Sequence, residues 1–177
     1  SKMTAAMKAL KVGPFNDSNN DFGPVITQQH QQKVVGYIDS TEQQGATIVV
    51  DGRKPEIAGH EKGFFVGGTL IDGVTAEMES YKAEIFGPVL VLIPYDGIDE
   101  AVDIANDSPY GLAGAVYAAN QETGIAIARR IRTGQVTVNN GRFNPNAPFG
   151  GYKQSGIGRE LGEYGFEEFL EVKSLQL

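Results

Sequence analysis

Five consecutive apolar residues, Val89-Leu90-Val91-Leu92-Ile93, most constrain how this chain folds. A strand that shows one face to water alternates apolar and polar side chains. An unbroken apolar run belongs instead to a strand buried on both faces, as in parallel sheets covered by helices. The neighbouring stretches fit that setting. Helices are predicted over residues 2–11 and 28–44, the first ended by Gly13-Pro14 and the second by Gly45. A short strand is predicted over 46–50, a weaker one within 63–74, and a short helical or irregular approach over 75–84. Beyond the run come a helix over 99–106, a strand over 112–118, an amphipathic helix over 121–132 and a strand over 135–139. Strand, helix, strand in succession is the signature of parallel βαβ units with right-handed crossovers. The expected class is α/β, with a mostly parallel sheet flanked by helices in one domain.

The end of the chain reads differently. From about Asn144 there is a Gly- and Pro-rich loop, then a short helix over 160–169, then a segment over 171–177. In that segment Val172, Ser174, Leu175 and Leu177 alternate imperfectly, as an edge-seeking strand does. The pattern leaves both an edge in another subunit and an edge in the same domain open.

Composition narrows the function classes. With 177 residues, 41% hydrophobic and 21% charged, the chain has the make-up of one soluble domain with a real core. It has no apolar stretch of membrane-spanning length and no secretory leader, so a cytoplasmic location is expected. A net charge of −7 opposes phosphate backbones and anionic lipid, so neither nucleic acid nor a membrane is an expected partner. Arg129, Arg130 and Arg132 read as the solvated face of a helix. There is no cysteine, which removes disulfides, thiolate metal sites and a thiol nucleophile from this chain. The Asn16 and Asn106 sequons are set aside as chance matches. A first residue Ser1 in place of Met suggests a processed or truncated polypeptide.

Several motifs fail on inspection. Gly156-Ile157-Gly158-Arg159-Glu160-Leu161-Gly162 has one residue too many for a dinucleotide fingerprint, and no strand leads into it. Asp17, Asn19 and Asp21 open like a calcium loop, but Phe22 takes the obligatory glycine position and Gln28 the closing glutamate position. Ser155 lacks the flanking glycine of a nucleophile elbow, because Lys153 stands there. His30 and His60 have no metal-ligand spacing, so no metal site is expected.

One motif survives. Glu84-Ile85-Phe86-Gly87-Pro88 stands immediately before the apolar run, and Gly87-Pro88 forces a tight approach to that strand. A carboxylate and an aromatic two residues apart suit a nucleotide: the carboxylate accepts both ribose hydroxyls while the ring covers the adjoining one. Each such charge-assisted bond is worth about 1.5–3 kcal/mol. The plainer reading is a surface glutamate and a core phenylalanine at the start of a strand. On the residues alone that plainer reading is favoured.

The motif resembles the E-x-F-G-P signature of the aldehyde dehydrogenase superfamily. Further stretches match the same family in the same order. They are Gly23-Pro24 ahead of the helix holding Lys33, Asn106 to Leu112, Gly134 to Asn139, and Pro148-Phe149-Gly150-Gly151-Tyr152-Lys153-Gln154-Ser155-Gly156 running on through Gly158-Arg159-Glu160. Together they span nearly the whole chain, and the resemblance turns the odds toward the nucleotide reading of Glu84 and Phe86.

The resemblance implies the C-terminal part of an NAD(P)-dependent aldehyde dehydrogenase that oxidises an aldehyde to a carboxylic acid. In that family a cysteine attacks the aldehyde, hydride passes to a nicotinamide cofactor, and water hydrolyses the resulting thioester. The nucleophile, the base and the cofactor domain belong to the part before this region, so no catalytic residue is assigned here and the chain alone is expected to be inactive. By the family pattern Glu84 holds the nicotinamide ribose, Phe86 packs near the nicotinamide ring, and Lys33 touches the cofactor's other ribose. His30, one turn before Lys33, stands where a glutamine is common. Phe149 matches an aromatic of the substrate tunnel, and 142–146 its variable mouth. Residues 1–168 would be the remainder of the catalytic domain. Residues 169–177 would be an oligomerisation strand added to a neighbouring subunit, making a homo-oligomer. Two other readings stand beside this one: a stand-alone strand-mediated assembly module without catalysis, and a reductase of the same superfamily acting on an acyl thioester or acyl phosphate.

Overall fold

The computed structural model describes residues 2–177 and divides into two compact units, with the break after Pro94. Each unit carries its own small sheets.

In the first unit, α1 (Lys2–Ala9) lays Met7 over Gly68, where an added Cβ would meet the Met7 Sδ at 2.6 Å. The longer α2 (Gln28–Gln43) is capped by Thr27, whose side chain accepts from the His30 backbone N–H at 3.1 Å. It ends at Gly45, whose φ of 103° suits a residue without Cβ. Val34, Ile38 and Thr41, spaced four and three apart, form its buried stripe. That stripe lies on a sheet ordered β1-β2-β3, made of β1 (Thr47–Val50), β2 (Thr69–Asp72) and β3 (Val89–Leu92). Val34, Ile38, Ala46, Val66, Ile71, Val74 and Met78 make the core. The short α3 (Glu79–Lys82) lies on the path from β2 to β3.

Pairing follows connection. β2 and β3, joined through α3, run parallel in the register Thr69↔Val89 to Asp72↔Leu92. β1 and β2 are joined by a loop with no helix, and they run antiparallel. The expected α/β class stands, with parallel pairs beside this antiparallel one. One correction concerns the apolar run itself. β3 is half-buried and not covered on both faces: Val89 and Val91 pack on the core, while Leu90, on the opposite face, is 40% exposed.

In the second unit, α4 (Gly97–Asn106) precedes β4 (Tyr110–Gly111) and β5 (Ala113–Val116). Then come α5 (Gln121–Ala128), β6 (Gln135–Val138), β7 (Tyr152–Lys153) and α6 (Gly162–Glu167). The unit β5-α5-β6 is the expected parallel crossover, with Ala113↔Gln135 through Val116↔Val138 in register. Asn120 caps α5 by accepting from the Thr123 N–H at 2.9 Å. Gly124 lets the helix close on Val138, whose Cγ1 would stand 2.5 Å from an added Cβ. The antiparallel pair β4-β7 is absent from the sequence-based expectation: two residues per strand are too few to show a period. Arg130 reaches Asp99 at 2.7 Å. The final segment forms no strand among the described residues; Phe169, Val172 and Leu175 are 87%, 99% and 81% exposed.

One ionic cluster ties α2 to the turn after β1. Arg53 reaches Asp39 at 2.7 Å, Glu42 at 2.6 Å and Asp51 at 2.6 Å. The hydrogen bond from Arg53 holds the Asp51 carboxyl below its ordinary range, and the three carboxylates, Asp51 foremost, raise the guanidinium's affinity for its proton. The three acids are each about half exposed, so water screens most of the attraction. Replacing Arg53→Met is expected to cost about 1 kcal/mol in urea unfolding at neutral pH. The depressed Asp51 pKa adds stability that is present above its unfolded value and lost as pH falls through the folded one. The two proteins should therefore converge in stability below the ordinary carboxylate range. A gap that persists in acid would mean Arg53 acts through packing.

Candidate functional site

The turn that leads into β3 is fixed at three successive carbonyls. The Pro88 oxygen accepts from the Thr69 N–H at 2.9 Å, which begins the parallel ladder, and the Gly87 oxygen accepts from the Val89 N–H at 2.7 Å. The Phe86 oxygen is held from outside the turn, by His30 Nε2 at 2.7 Å. A carbonyl only accepts, so the proton of the bonded imidazole sits on Nε2.

Two features give this turn its shape. Phe86 has φ 55°, in the left-handed region that bulky residues seldom occupy. Gly87 lies against α2 so closely that a Cβ there would stand 2.7 Å from Val34 Cγ1 and 2.8 Å from Cγ2. Val34 is fully buried, so it has nowhere to retreat. The start of α2 is itself anchored: the Val25 N–H donates to the Phe64 oxygen at 2.8 Å, and Gln31 Nε2 donates to the Phe65 oxygen at 2.8 Å.

The result is a polar and aromatic pair presented to solvent. Phe86 is 71% exposed, so the plainer reading of it as a core residue does not hold. Glu84 is exposed, and its carboxylate has no hydrogen bond or ion pair among the described residues. Lys33 is exposed on α2, with Nζ 5.8 Å from the Tyr37 ring centroid, a cation–π contact along its own helix. Glu84, Phe86 and Lys33 thus share the first unit, and His30 is joined directly to Phe86. Sequence spacing offered only a thin signal for that last link, because the two residues are 56 positions apart.

Phe149 lies in the second unit. Its N–H and C=O exchange hydrogen bonds with Glu160 at 2.7 and 2.6 Å. Its ring meets Phe143 edge to face, with centroids 6.3 Å apart at 76°. The intervening loop is pinned by Asn144, whose side-chain oxygen accepts from the Asn146 N–H at 3.0 Å. Arg159 Nη1 donates to the Gly151 oxygen at 3.1 Å, and its guanidinium lies 5.2 Å from the Tyr152 ring centroid. Phe143 was missed from sequence; an aromatic amid Arg142, Asn144 and Asn146 gives no period to read.

Substituting Gly87→Ala should destabilise the protein by about 1–3 kcal/mol, since the new methyl has a buried valine to displace. Combining it with Val34→Ala should cost less than the two single changes summed, measured by urea unfolding as a double-mutant cycle. Strict additivity would show that the two residues do not press on each other.

Comparison with known proteins bears on what this geometry serves. The model described as the aldehyde dehydrogenase family matches residues 1–175. An aldehyde dehydrogenase of Mycobacterium tuberculosis, solved in complex with NAD+, is 44% identical with a TM-score of 0.88; the match covers 94% of this chain and 34% of that one. A mutant of Pseudomonas syringae aldehyde dehydrogenase C, solved with NAD+ and octanal, is 43% identical with a TM-score of 0.88, covering 95% of this chain and 34% of that one. A Staphylococcus saprophyticus protein that carries a provisional aldehyde dehydrogenase name is 46% identical over 167 residues, which are 94% of this chain and 35% of that protein. The chain spans about a third of the length of the curated relatives it matches.

Proposed function

This chain belongs to the aldehyde dehydrogenase family, and from that premise we propose that it is the C-terminal part of an NAD(P)-dependent enzyme that oxidises an aldehyde to a carboxylic acid. The observation that carries the reading is the exposed, unpartnered Glu84 carboxylate two residues from the exposed Phe86 ring. Those two groups fit the nicotinamide nucleoside half of such a cofactor. A free carboxylate accepts two vicinal ribose hydroxyls, and an aromatic face covers the attached ring. The solved relatives that hold NAD+ favour NAD of the two nicotinamide cofactors.

When bound, the cofactor would supply a hydride acceptor. The work of this chain is to bind and orient. Glu84 holds the ribose, which fixes the rotation of the ring it bears, and Phe86 keeps water from one side of it. Lys33 serves the cofactor's other ribose. Phe149, braced by Phe143 and by Glu160, gives an apolar wall to the carbon chain of the aldehyde. The chain has no cysteine, so the thiol nucleophile of this chemistry comes from the remainder of the protein, and residues 2–177 alone are inactive. Residues 1–168 complete the catalytic domain. Residues 169–177, unpaired and with alternate apolar side chains exposed, add a strand to a sheet of another subunit.

Glu84→Gln in the intact protein should weaken NAD+ binding and slow hydride transfer by roughly ten-fold or more, the loss of a charge-assisted bond. Titration of NAD+ and a primary isotope effect with deuterated aldehyde report the two separately. Unchanged values for both would take Glu84 out of the site. Ending the protein after residue 168 should lower its mass in light scattering to that of a smaller oligomer. An unaltered mass would leave the tail without a role in assembly and weaken the competing view of the chain as an assembly module.

A further inference from the structure

Among the described residues, His30 is the one side chain outside the Phe86 turn that is hydrogen-bonded to it, beside the apolar contact of Val34. The turn has an unusual need for such a contact. Phe86 sits in the left-handed region, which for a residue with a bulky side chain is a cost the surroundings must offset. The carbonyls of Gly87 and Pro88 are held by backbone N–H groups of the sheet. Among the described residues, the Phe86 carbonyl has only His30 Nε2, at 2.7 Å. That bond fixes the plane of the 86–87 peptide, and with it the backbone angle from which the exposed ring departs. His30 is itself rigidly placed, since its backbone N–H is bonded to the Thr27 cap and Gln31 beside it is tied to Phe65.

We propose that His30 is a positioning residue for Phe86: its Nε2–H holds the Phe86 carbonyl and so keeps the ring where a nicotinamide nucleoside can lie against it. His30 acts through Phe86 and need not touch the cofactor. The link to cofactor rests on the function proposed above, whereas the bracing of the turn does not.

The test compares the intact protein with His30→Leu, which removes the donor at similar volume, and His30→Gln, which keeps a side-chain N–H. Two readouts are needed. Amide hydrogen exchange over residues 84–89, measured without cofactor, reports the bracing. Titration of NAD+ reports its consequence. The expected result for His30→Leu is faster exchange in that segment and NAD+ affinity lower by roughly five-fold, the worth of one hydrogen bond. His30→Gln should restore both. In ¹⁵N spectra the His30 ring should show a protonated Nε2 in the neutral form. Exchange unchanged in His30→Leu would overturn the proposal, whatever the cofactor does. Faster exchange with unaltered NAD+ affinity would overturn the link to the cofactor. Failure of the unsubstituted protein to bind NAD+ would instead overturn the proposed function, and the exchange measurement would still decide whether His30 braces the turn.

Discussion

Gly87 has no side chain, and Val34 fills the room one would take. That contact sets the separation between α2 and the backbone leading into β3, and most of the first unit follows from it. Val34 begins the buried stripe that continues through Ile38 and Thr41, so the helix face and the turn are placed by the same residue. With the helix so close, His30 comes within hydrogen-bond reach of Phe86, and β3 enters the ladder beside β2 in a single register. A larger residue at 87 would push the helix off the sheet and separate these groups together.

The sequence made the secondary structure legible where a period was long enough to read. The helix over 28–44 stands where its spacing and Gly45 put it, and the crossover of residues 113–138 keeps its expected order, with its helix ending at Ala128 and not at Arg132. The motif Glu84 to Pro88 was legible too, first as a carboxylate and aromatic at a strand's start and then as a family signature. What could not be read were relations between distant residues. The antiparallel turn of β1 against β2 depends on how a helix-free loop folds back, which no local pattern encodes. The bond from His30 to Phe86 depends on packing between α2 and a turn far along the chain. The half-exposure of β3 depends on what covers a sheet, and an apolar run states only that something should.

The two units solve the same local problem by different means. In the first, charge ties a helix to a loop through Arg53, whose planar guanidinium serves three carboxylates at once; a lysine has one compact ammonium and could not span them. In the second, hydrogen bonds to backbone groups do the tying. Asn106 accepts from the Arg132 N–H at 2.7 Å and donates to the Arg130 oxygen at 2.9 Å, while Lys153 Nζ donates to the Asn106 and Ser108 oxygens at 2.7 and 2.8 Å. These bonds clamp the end of α4, the end of α5 and β7 around the short β4-β7 pair, which has too few ladder bonds to hold itself.

The backbone of Phe86 sets folding against the role proposed for its ring at a single position. Glycine occupies φ 55° with ease, and asparagine does so more readily than phenylalanine. A library selected only for heat resistance would therefore drift toward small or polar residues at 86, gaining backbone comfort and discarding the ring. On the role proposed for the ring, selection for turnover would pull the other way. Position 86 is thus a place where laboratory evolution should yield opposite answers to its two usual questions, and where a stabilising consensus change ought to be left out of any engineered variant.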